Sequence, residues 1–307
     1  MGLLHRPQRN TGTVATEHQS RLNVRTNGAA PAAEGKSFVC KLRDGSAVLR
    51  LAQKDWETEF FGRRFGRLEI DAAGVPDLPA DALDKALAEV LSLGDRNGFD
   101  LIDLELDIAW LHRMYMFENH GFRLVDTKMR FLSLLQRADM DGVPDPETEI
   151  LFASEDMKDE ILALTQRSFT DNPSFKSRFT NERYFSRSEA DRYYSAWIEN
   201  HIGDDRHLFA VARDKGKVVG YLLYRRAGEH RGKPLYKAGL MAIAPEYRGK
   251  RVYFSLLSFV YRHFPEDEVY MDATTQLTNP AAIRYLIKMQ RTFDAVQLFF
   301  CRRKGGR

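Results

Sequence analysis

The sequence has few of the features that mark secreted, disulfide-bonded or membrane-spanning proteins. Its 307 residues include only two cysteines, Cys40 and Cys301. Two such thiols argue against a disulfide framework and suit a reducing compartment. No stretch approaches the roughly 18 apolar residues that a membrane-spanning helix needs, and no apolar segment follows the first residues as in a secretory signal. We therefore expect a soluble, cytoplasmic protein without a membrane span.

Motifs for metal binding and for a serine nucleophile are absent as well. The eight histidines are scattered, and neither cysteine belongs to a Cys-x-x-Cys or Cys/His pattern. We therefore expect no metal. The Gly-x-Ser-x-Gly pattern of a nucleophile elbow does not occur, so nothing indicates a Ser-His-Asp hydrolase.

Positive charge is concentrated at the N-terminus. The formal net charge is +3, and residues 1–36 alone hold five lysines and arginines against two glutamates. The rest of the chain is therefore neutral, which disfavours nucleic-acid binding, because such binding needs basic residues clustered on a folded surface. Residues 1–36 also lack hydrophobic periodicity. They are predicted to form a disordered, basic tail.

The remaining chain is long enough for two domains. Hydrophobic residues make up 43% of the sequence, which is sufficient for sizeable cores. Residues 136–148 are polar, contain two prolines and are typical of a linker. We therefore predict a partial domain over residues 37–135 and a complete domain over residues 149–307.

Apolar runs and their periodicity predict helices and strands in both halves. In the first half, strands are expected at 38–42, 47–51, 101–106 and 122–135, with helices at 81–96 and 110–119. In the second half, strands are expected near Ile150 and at 207–213, 218–224, 235–243, 268–273 and 295–301, with helices at 156–169, 189–200, 256–264 and 279–288. This order predicts an α/β protein with a mixed sheet.

One strand-turn-helix junction carries the clearest chemical signal. An apolar strand ends at Pro245, and a helix follows a short polar turn. Such a junction leaves backbone N–H groups unpaired at the positive end of a helix, which is a suitable site for phosphate. Arg248, Lys250 and Arg251 place three cations there, each unfavourable by roughly 0.3–1 kcal/mol unless an anion binds. Taken alone, the segment would be interpreted as a solvated basic turn that caps an ordinary helix.

Several stretches extend this signal to a family. Residues 56–62, 118–126, 177–179, 194–200 and 275–282 each match one of its motifs. Together with the order of elements, they resemble the GNAT superfamily of N-acyltransferases, whose phosphate loop runs Arg/Gln-x-x-Gly-x-Gly/Ala. More narrowly, the chain resembles the dTDP-fucosamine N-acetyltransferases, which acetylate a nucleotide-linked 4-amino-4,6-dideoxyhexose. The resemblance implies a GNAT fold, with a partial GNAT-like first domain.

The resemblance implies acetyl-CoA, or another short acyl-CoA, as the co-substrate. Its binding positions would be Met241, Ala242, Ile243, Arg248, Gly249, Lys250, Arg251, Val252, Tyr253, Asn279 and Arg284. Backbone amides of the first three would also face the thioester oxygen. Asn279 precedes Pro280 and two alanines, so it is also predicted to cap a helix.

The chain departs from the family at three places. Arg251 and Tyr253 replace small residues of the phosphate loop, and Gln290-Arg291 replaces a Gly-Phe pair. Leu286 stands where the family carries the tyrosine that protonates the thiolate. Tyr285 is the nearest candidate for that catalytic role, but adjacent helical residues point about 100° apart. A structural tyrosine and a solvent proton remain alternatives.

The acceptor site is assigned by the same resemblance to Ser177, Arg178 and Tyr194. The planar fork of Arg178 suits a diphosphate, although a surface arginine in a polar loop is an equal alternative. His201 and Asp272 are ionisable, and we expect both to be structural. No general base is identified.

We therefore expect an N-acetyltransferase that modifies a nucleotide-linked amino sugar for surface polysaccharide synthesis. A catalytically silent GNAT-like binding module is one alternative. The other is a GNAT enzyme acting on an amino acid or antibiotic, which the polar loop 170–187 would decide. The resemblance leaves the oligomeric state open, a homodimer included, and implies no nucleic-acid partner.

Overall fold

A computed structural model describes residues 37–41, 47–72, 79–137, 148–172, 175–204 and 206–305. The predicted tail and nearly all of the predicted linker lie outside the described residues. The strands are β1 Ser37–Lys41, β2 Ala47–Gln53, β3 Phe65–Ala72, β4 Leu101–Asp107, β5 Arg123–Gln136, β6 Glu149–Phe152, β7 His207–Asp214, β8 Lys217–His230, β9 Lys233–Ile243, β10 Glu268–Gln276 and β11 Phe293–Arg303. The α-helices are α1 Asp55–Phe61, α2 Ala80–Arg96, α3 Met114–Asn119, α4 Lys158–Thr165, α5 Arg187–Glu199, α6 Val252–Arg262 and α7 Pro280–Lys288.

These strands form one sheet in the order β1-β2-β3-β4-β11-β5-β10-β9-β8-β7-β6. The last strand, β11, lies between β4 and β5 and is antiparallel to both. The long strand β5 in turn lies between β11 and β10. Each half of the chain therefore contributes its final strand to the other half's part of the sheet.

The two halves repeat one arrangement around the β11–β5 pair. β3 runs parallel to β4 with α2 between them in sequence, and β9 runs parallel to β10 with α6 between them. β4 and β10 then each pair with the strand contributed by the other half. Within the described residues, the first half has no counterpart of β6, α4 and α5. This agrees with the expected partial first domain.

Helices α2 and α6 cover one face of the sheet. The apolar residues of α2 recur at helical spacing and pack on β1, β2, β4 and β11, where Leu298 and Phe300 enter the same core. Helix α6 packs in the same way on β7, β8, β9 and β10. We call the opposite side of the sheet the open face. There, α4 and α5 cover β7 to β9, while an aromatic cluster that includes Phe179, Tyr184 and Phe185 covers parts of β3, β4 and β11.

The predicted mixed α/β sheet is confirmed, and all the strands and helices that the sequence indicated are present. The segment expected as a helix over 110–119 begins as a 3-10 helix, Ile108–Arg113, before α3. The helix expected over 156–169 is divided into a 3-10 turn, α4 and a π-helical turn. Helix α1 and strand β3 were not anticipated. The division into two domains stays a prediction, and one continuous sheet contains strands of both predicted domains.

Phe300 offers a test of the shared sheet. This β11 side chain is 1% exposed and lies in the core of the first half, so Phe300→Ala should destabilise the protein by about 3–5 kcal/mol in urea unfolding. Phe293→Ala is the matched control on the same strand. Its side chain is 51% exposed, and we expect a loss below about 1 kcal/mol. Equal losses in the two variants would contradict this placement of β11.

Candidate active site

The site begins where β9 and β10 separate. The two strands pair in parallel at three positions, ending at Asp272 opposite Lys237. β9 then continues to Ile243 beside β8, and β10 continues to Gln276 beside β5. A wedge-shaped opening therefore lies between the last six residues of β9 and the last four of β10. We call it the splay.

Part of the β9 backbone faces the splay. Ala244 N–H donates to the carbonyl of Val219 at 2.9 Å, and hydrogen-bonded pairs alternate with non-bonded pairs along an antiparallel ladder. Met241 and Ile243 are therefore at non-bonded positions, and their backbone groups point away from β8 into the splay. Ala242 lies between them, and its backbone groups point to β8. Of the three predicted positions, two thus present backbone groups to the splay.

A β-bulge lies just before these residues. Between the pairs Tyr224–Ala238 and Leu222–Met241, β9 advances three residues while β8 advances two. At the bulge, a Cβ on Gly239 would lie 2.9 Å from the Trp197 ring. The absence of that atom lets Trp197 of α5 lie directly on β9 at the splay.

The turn after β9 presents its cations to solvent. Gly249 and Arg251 have φ values of 79° and 61°, and α6 begins at Val252. Arg248, Lys250 and Arg251 are exposed. Among the described residues, no side chain caps the N-terminus of α6. The first turn of α6 therefore leaves N–H groups available beside three cations, as phosphate binding requires.

The two bulky residues of this turn point in different directions. Arg251 is exposed, whereas Tyr253 is 9% exposed, with its ring in the core beneath α6. The Tyr253 hydroxyl is hydrogen-bonded to Tyr224, and burial raises the pKa of Tyr253. The Tyr253 side chain therefore leaves the outer surface of the turn clear.

Helix α7 places its functional candidates on different sides. Asn279 caps the helix as predicted, because its side chain accepts from Ala282 N–H at 3.1 Å. Arg284 is exposed. The Tyr285 ring meets Tyr253 edge-on at 4.7 Å, while Leu286 is buried against the sheet. Tyr285 therefore lies beneath α6 and does not take the place of Leu286.

The first of the two residues that replace Gly-Phe has a backbone conformation that favours glycine. Gln290 has a φ of 55°, the left-handed conformation that a glycine would adopt there. Arg291 is 8% exposed, and its Nη1 lies 3.4 Å from the Tyr261 hydroxyl. A buried arginine packed among tyrosines thus fills the space after α7.

A cluster of charged side chains lies on the open face around β3 and β4, and strands β11 and β5 separate β4 from β10 and the splay. Asp103, 2% exposed, accepts two hydrogen bonds from Arg67 at 2.9 and 3.1 Å. Lys54 lies 3.5 Å from the same carboxylate and Arg178 lies 3.4 Å from it. Burial raises the pKa of Asp103, but the three cations outweigh it and hold the pKa below its ordinary value. We call Lys54, Arg67, Asp103 and Arg178 the cleft cluster.

The three predicted acceptor residues lie together. Tyr194 donates to Ser177 Oγ at 2.6 Å, and Ser177 also accepts from Phe179 N–H at 3.2 Å. Ser177 and Tyr194 are both buried, so they fix the polar loop around Arg178. Arg178 is itself only 14% exposed, which excludes the alternative of a surface arginine. In the described part of the chain, its Nε has no hydrogen-bond partner.

Asp272 and His201 have structural contacts, as expected. Asp272 accepts from Arg130 Nε at 3.0 Å and from the Thr274 hydroxyl at 3.0 Å, so both of its oxygens are occupied. His201 Nδ1–H donates to the carbonyl of Trp197 at 2.6 Å, and the His201 ring packs on the Trp197 ring. Burial lowers the pKa of His201.

The sequence did not single out Lys54, Arg67, Asp103, Asp126 or Lys128. Asp103 alternates with apolar residues in β4, which usually indicates a solvated position. Its ion pairs involve residues 36, 49 and 75 positions away, and no local pattern predicts such pairing. The alternation of polar and apolar residues in β4 was the available signal. It predicts on which face of the sheet Asp103 lies, but it does not predict that Asp103 is buried.

Two absences apply to the described part of the chain. There, no group of three or more His, Cys, Asp or Glu side chains could hold a metal ion. None of the helices found there is long and apolar enough to cross a bilayer.

Residues 172–289 match the model of the Acetyltransferase (GNAT) family. A curated relative, the spore coat polysaccharide biosynthesis protein SpsD of Bacillus subtilis (strain 168), is 32% identical over 142 residues. This match covers 46% of the present chain and 45% of SpsD. The chain thus spans less than half the length of that relative.

Solved structures share the fold across most of the chain. A GCN5-related N-acetyltransferase from Sphaerobacter thermophilus has a TM-score of 0.51 at 16% identity, covering 88% of this chain and 81% of its own. A tandem GNAT protein from the clavulanic acid biosynthesis pathway has a TM-score of 0.51 at 15% identity, covering 89% and 85%. At these identities the likeness shows the fold alone, and it confirms the expected GNAT fold.

Arg251 allows a direct test of the turn geometry. Because its φ is 61°, Arg251→Gly should be about 1 kcal/mol more stable than Arg251→Ala in chemical unfolding, although both lose the same charge. Lys250 is the matched control, since its φ is not positive and the order of its glycine and alanine variants should reverse. The same order at both positions would contradict this backbone.

Proposed function

We propose that the chain transfers an acyl group from acetyl-CoA, or another short acyl-CoA, to an amine, because residues 172–289 match the model of the Acetyltransferase (GNAT) family. The observation that carries this proposal is that the splay and the basic turn before α6 adjoin each other. The splay between β9 and β10 leads directly to the uncapped, basic N-terminus of α6. One extended ligand with an amide-bearing arm and a diphosphate would occupy both.

The residues present fit such a ligand. The backbone groups of Met241 and Ile243 would pair with the arm in the manner of an added strand. The first-turn N–H groups of α6, with Arg248, Lys250 and Arg251, would hold the phosphates. Asn279 and Arg284 lie at the start and on the outer face of α7, where they would contact the same ligand.

Acetyl-CoA supplies an activated acyl thioester. A backbone N–H of β9 facing the splay would stabilise negative charge that develops on the thioester oxygen. Tyr285 remains our proposal for the proton donor to the departing sulfur. A tyrosine hydroxyl is protonated at neutral pH and can donate, and burial raises the pKa of Tyr285 further, which makes it a weaker acid than an exposed tyrosine.

We infer that the acceptor is a nucleotide-linked amino sugar used in polysaccharide synthesis. Two observations support this proposal. The relative SpsD is named for spore coat polysaccharide biosynthesis. The cleft cluster on the open face includes Arg178, whose unpaired Nε could donate to a diphosphate oxygen. An amino acid or an aminoglycoside would be the competing acceptor in a substrate screen.

Arg248→Ala tests the acyl-CoA site. Calorimetric titration with acetyl-CoA should give micromolar affinity for the wild type and roughly fivefold to thirtyfold weaker binding for the variant, because a charge-assisted phosphate contact is lost.

Lys85→Ala on α2 removes the same charge from an exposed helix position and should bind like the wild type. A folded wild-type protein that binds no acetyl-CoA would overturn the acetyl-CoA proposal. A longer acyl-CoA or a catalytically silent module would then be tested.

Tyr285→Phe tests the proton donor. With acetyl-CoA and an accepted amine, we expect kcat to fall at least about tenfold while KM changes little, because the hydroxyl acts only as the thiol departs. Tyr270→Phe is the control, as Tyr270 packs on His230 at the other end of β10. An unchanged kcat, or a loss confined to KM and thermal stability, would make Tyr285 structural.

A further inference from the structure

Asp126 is an incompletely paired carboxylate on the open face. It lies on β5 opposite Phe299 of β11, and Phe299 in turn lies opposite Glu105 of β4. Cross-strand partners share a face, so Asp126 lies on the same side as the cleft cluster. The backbone N–H groups of Thr127 and Arg178 contact its carboxylate. Its Oδ2 is buried and, in the described part of the chain, has no hydrogen-bond partner.

A second unpaired polar atom of opposite character lies nearby. Arg178 Nε is also buried without a partner among the described residues, and Arg178 interacts electrostatically with Asp126. Leaving one such atom unpaired typically costs about 1–3 kcal/mol, and more for a charged group. A carboxylate oxygen and a guanidinium N–H left together in this state form a complementary pair of sites. They would accept one group that donates hydrogen bonds and one that accepts them.

The position of Asp126 relates these atoms to the splay. Lys128, two residues along the same face, pairs with Gln276, the final residue of β10. The carbonyl of Thr127 accepts from Leu277 N–H at 2.8 Å, just beyond that strand end. Lys128 also interacts with Lys237, at the point where β9 leaves β10. Asp126 is thus about 7 Å along β5 from a residue that flanks the splay.

The charged groups around Asp126 do not neutralise it completely. Lys128 stacks on the Phe299 ring at 4.4 Å, and burial followed by the charge of Arg178 lowers the pKa of Lys128 to about 8. The buried Tyr194 also interacts electrostatically with Asp126. Burial raises the pKa of Asp126 above its ordinary value, which makes its carboxylate a stronger base than an exposed aspartate.

We propose that Asp126 is the residue that binds the acceptor's amino group and removes its proton before acyl transfer. Asp126 Oδ2 accepts a hydrogen bond from the ammonium, and Arg178 Nε donates to an anionic oxygen of the same acceptor. The ligand class is therefore an amine that carries a nearby phosphate. This inference rests on the proposed function and assigns its missing general base.

The protons balance in this step. The ammonium gives one proton to Asp126 Oδ2 and becomes a neutral amine with a free electron pair. The nitrogen forms a bond to the acyl carbon as the carbon–sulfur bond breaks, and that bonding pair goes to sulfur. After the attack the nitrogen loses its second proton to solvent, and sulfur takes one proton from Tyr285, which solvent reprotonates, or from solvent directly, so these two transfers cancel. Asp126 then releases its proton to solvent, so one proton is released per turnover.

Asp126→Asn tests the assignment, because it keeps the shape and removes the base. The probes are acetyl-CoA with a dTDP-4-amino-4,6-dideoxyhexose, and the matched dTDP-6-deoxyhexose that carries a hydroxyl in place of the amine. We expect kcat/KM to fall about a hundredfold or more, and the preference for binding the amine over the hydroxyl probe to disappear. Acetyl-CoA binding and thermal stability should stay at wild-type values, which a merely structural role would not predict.

Glu105→Gln is the matched control. Glu105 is a carboxylate of the same face, but it is paired with Arg67 at 3.8 Å, so its amide variant should retain the wild-type rate. Wild-type turnover with an equally active Asp126→Asn would overturn the assignment and leave the proposed function standing. Acetyl-CoA binding without transfer to the sugar probe would instead reject the proposed acceptor, and the assignment with it.

Discussion

The guanidinium of Arg130 donates to Asp272 at the last residue pair that β9 and β10 share. This buried contact, with the Thr274 hydroxyl on the other carboxylate oxygen, holds β10 to β5 while β9 turns away with β8. Parallel strands would otherwise continue to pair, because each unpaired buried backbone group costs about as much as a lost hydrogen bond. The splay therefore persists only if the departing strands keep partners on their other sides. Strand β5 supplies that partner to β10 over its whole length, and a bulge lets β8 follow β9.

That requirement explains why the halves exchange strands. β5 comes from the first half of the sequence, yet it supports the β10 side of the splay, and β11 fills the equivalent place beside β4. The proposed acceptor site would consequently contain residues from both halves: Asp103 from β4, Asp126 from β5 and Arg178 from the polar loop. The first half would thus be part of that site. Removing it would leave β10 with an unpaired edge and the cleft without its central carboxylate.

Local patterns in the sequence predicted most of the sheet, and the exceptions have physical causes. Strand β3 carries Leu68 and Ile70 between charged residues, an alternation that indicates a strand but was hidden by glycine and arginine around it. The turn between β9 and α6 was predictable because strand, proline and helix follow directly in sequence. The direction of Tyr253 was not, since it depends on Tyr224 in a different strand. Gln290 shows the same limit. The surrounding fold imposes its left-handed backbone conformation, and a glutamine in the sequence does not predict that conformation.

The cations of the cleft cluster are each paired with carboxylates. Electrostatic attraction between the cluster and an anion therefore cannot by itself select the ligand. Lys54 pairs with Glu57 as well as Asp103, and Arg67 pairs with Glu105 as well as Asp103. These cations are already compensated, and an approaching anion would have to compete with carboxylates that cannot move away. Selection then falls to Arg178 Nε and Asp126 Oδ2, which have no hydrogen-bond partner among the residues that the structure describes. Because buried unpaired groups discriminate by the hydrogen bonds that a ligand can return to them, an acceptor lacking either its amine or its anion would leave one of them unsatisfied.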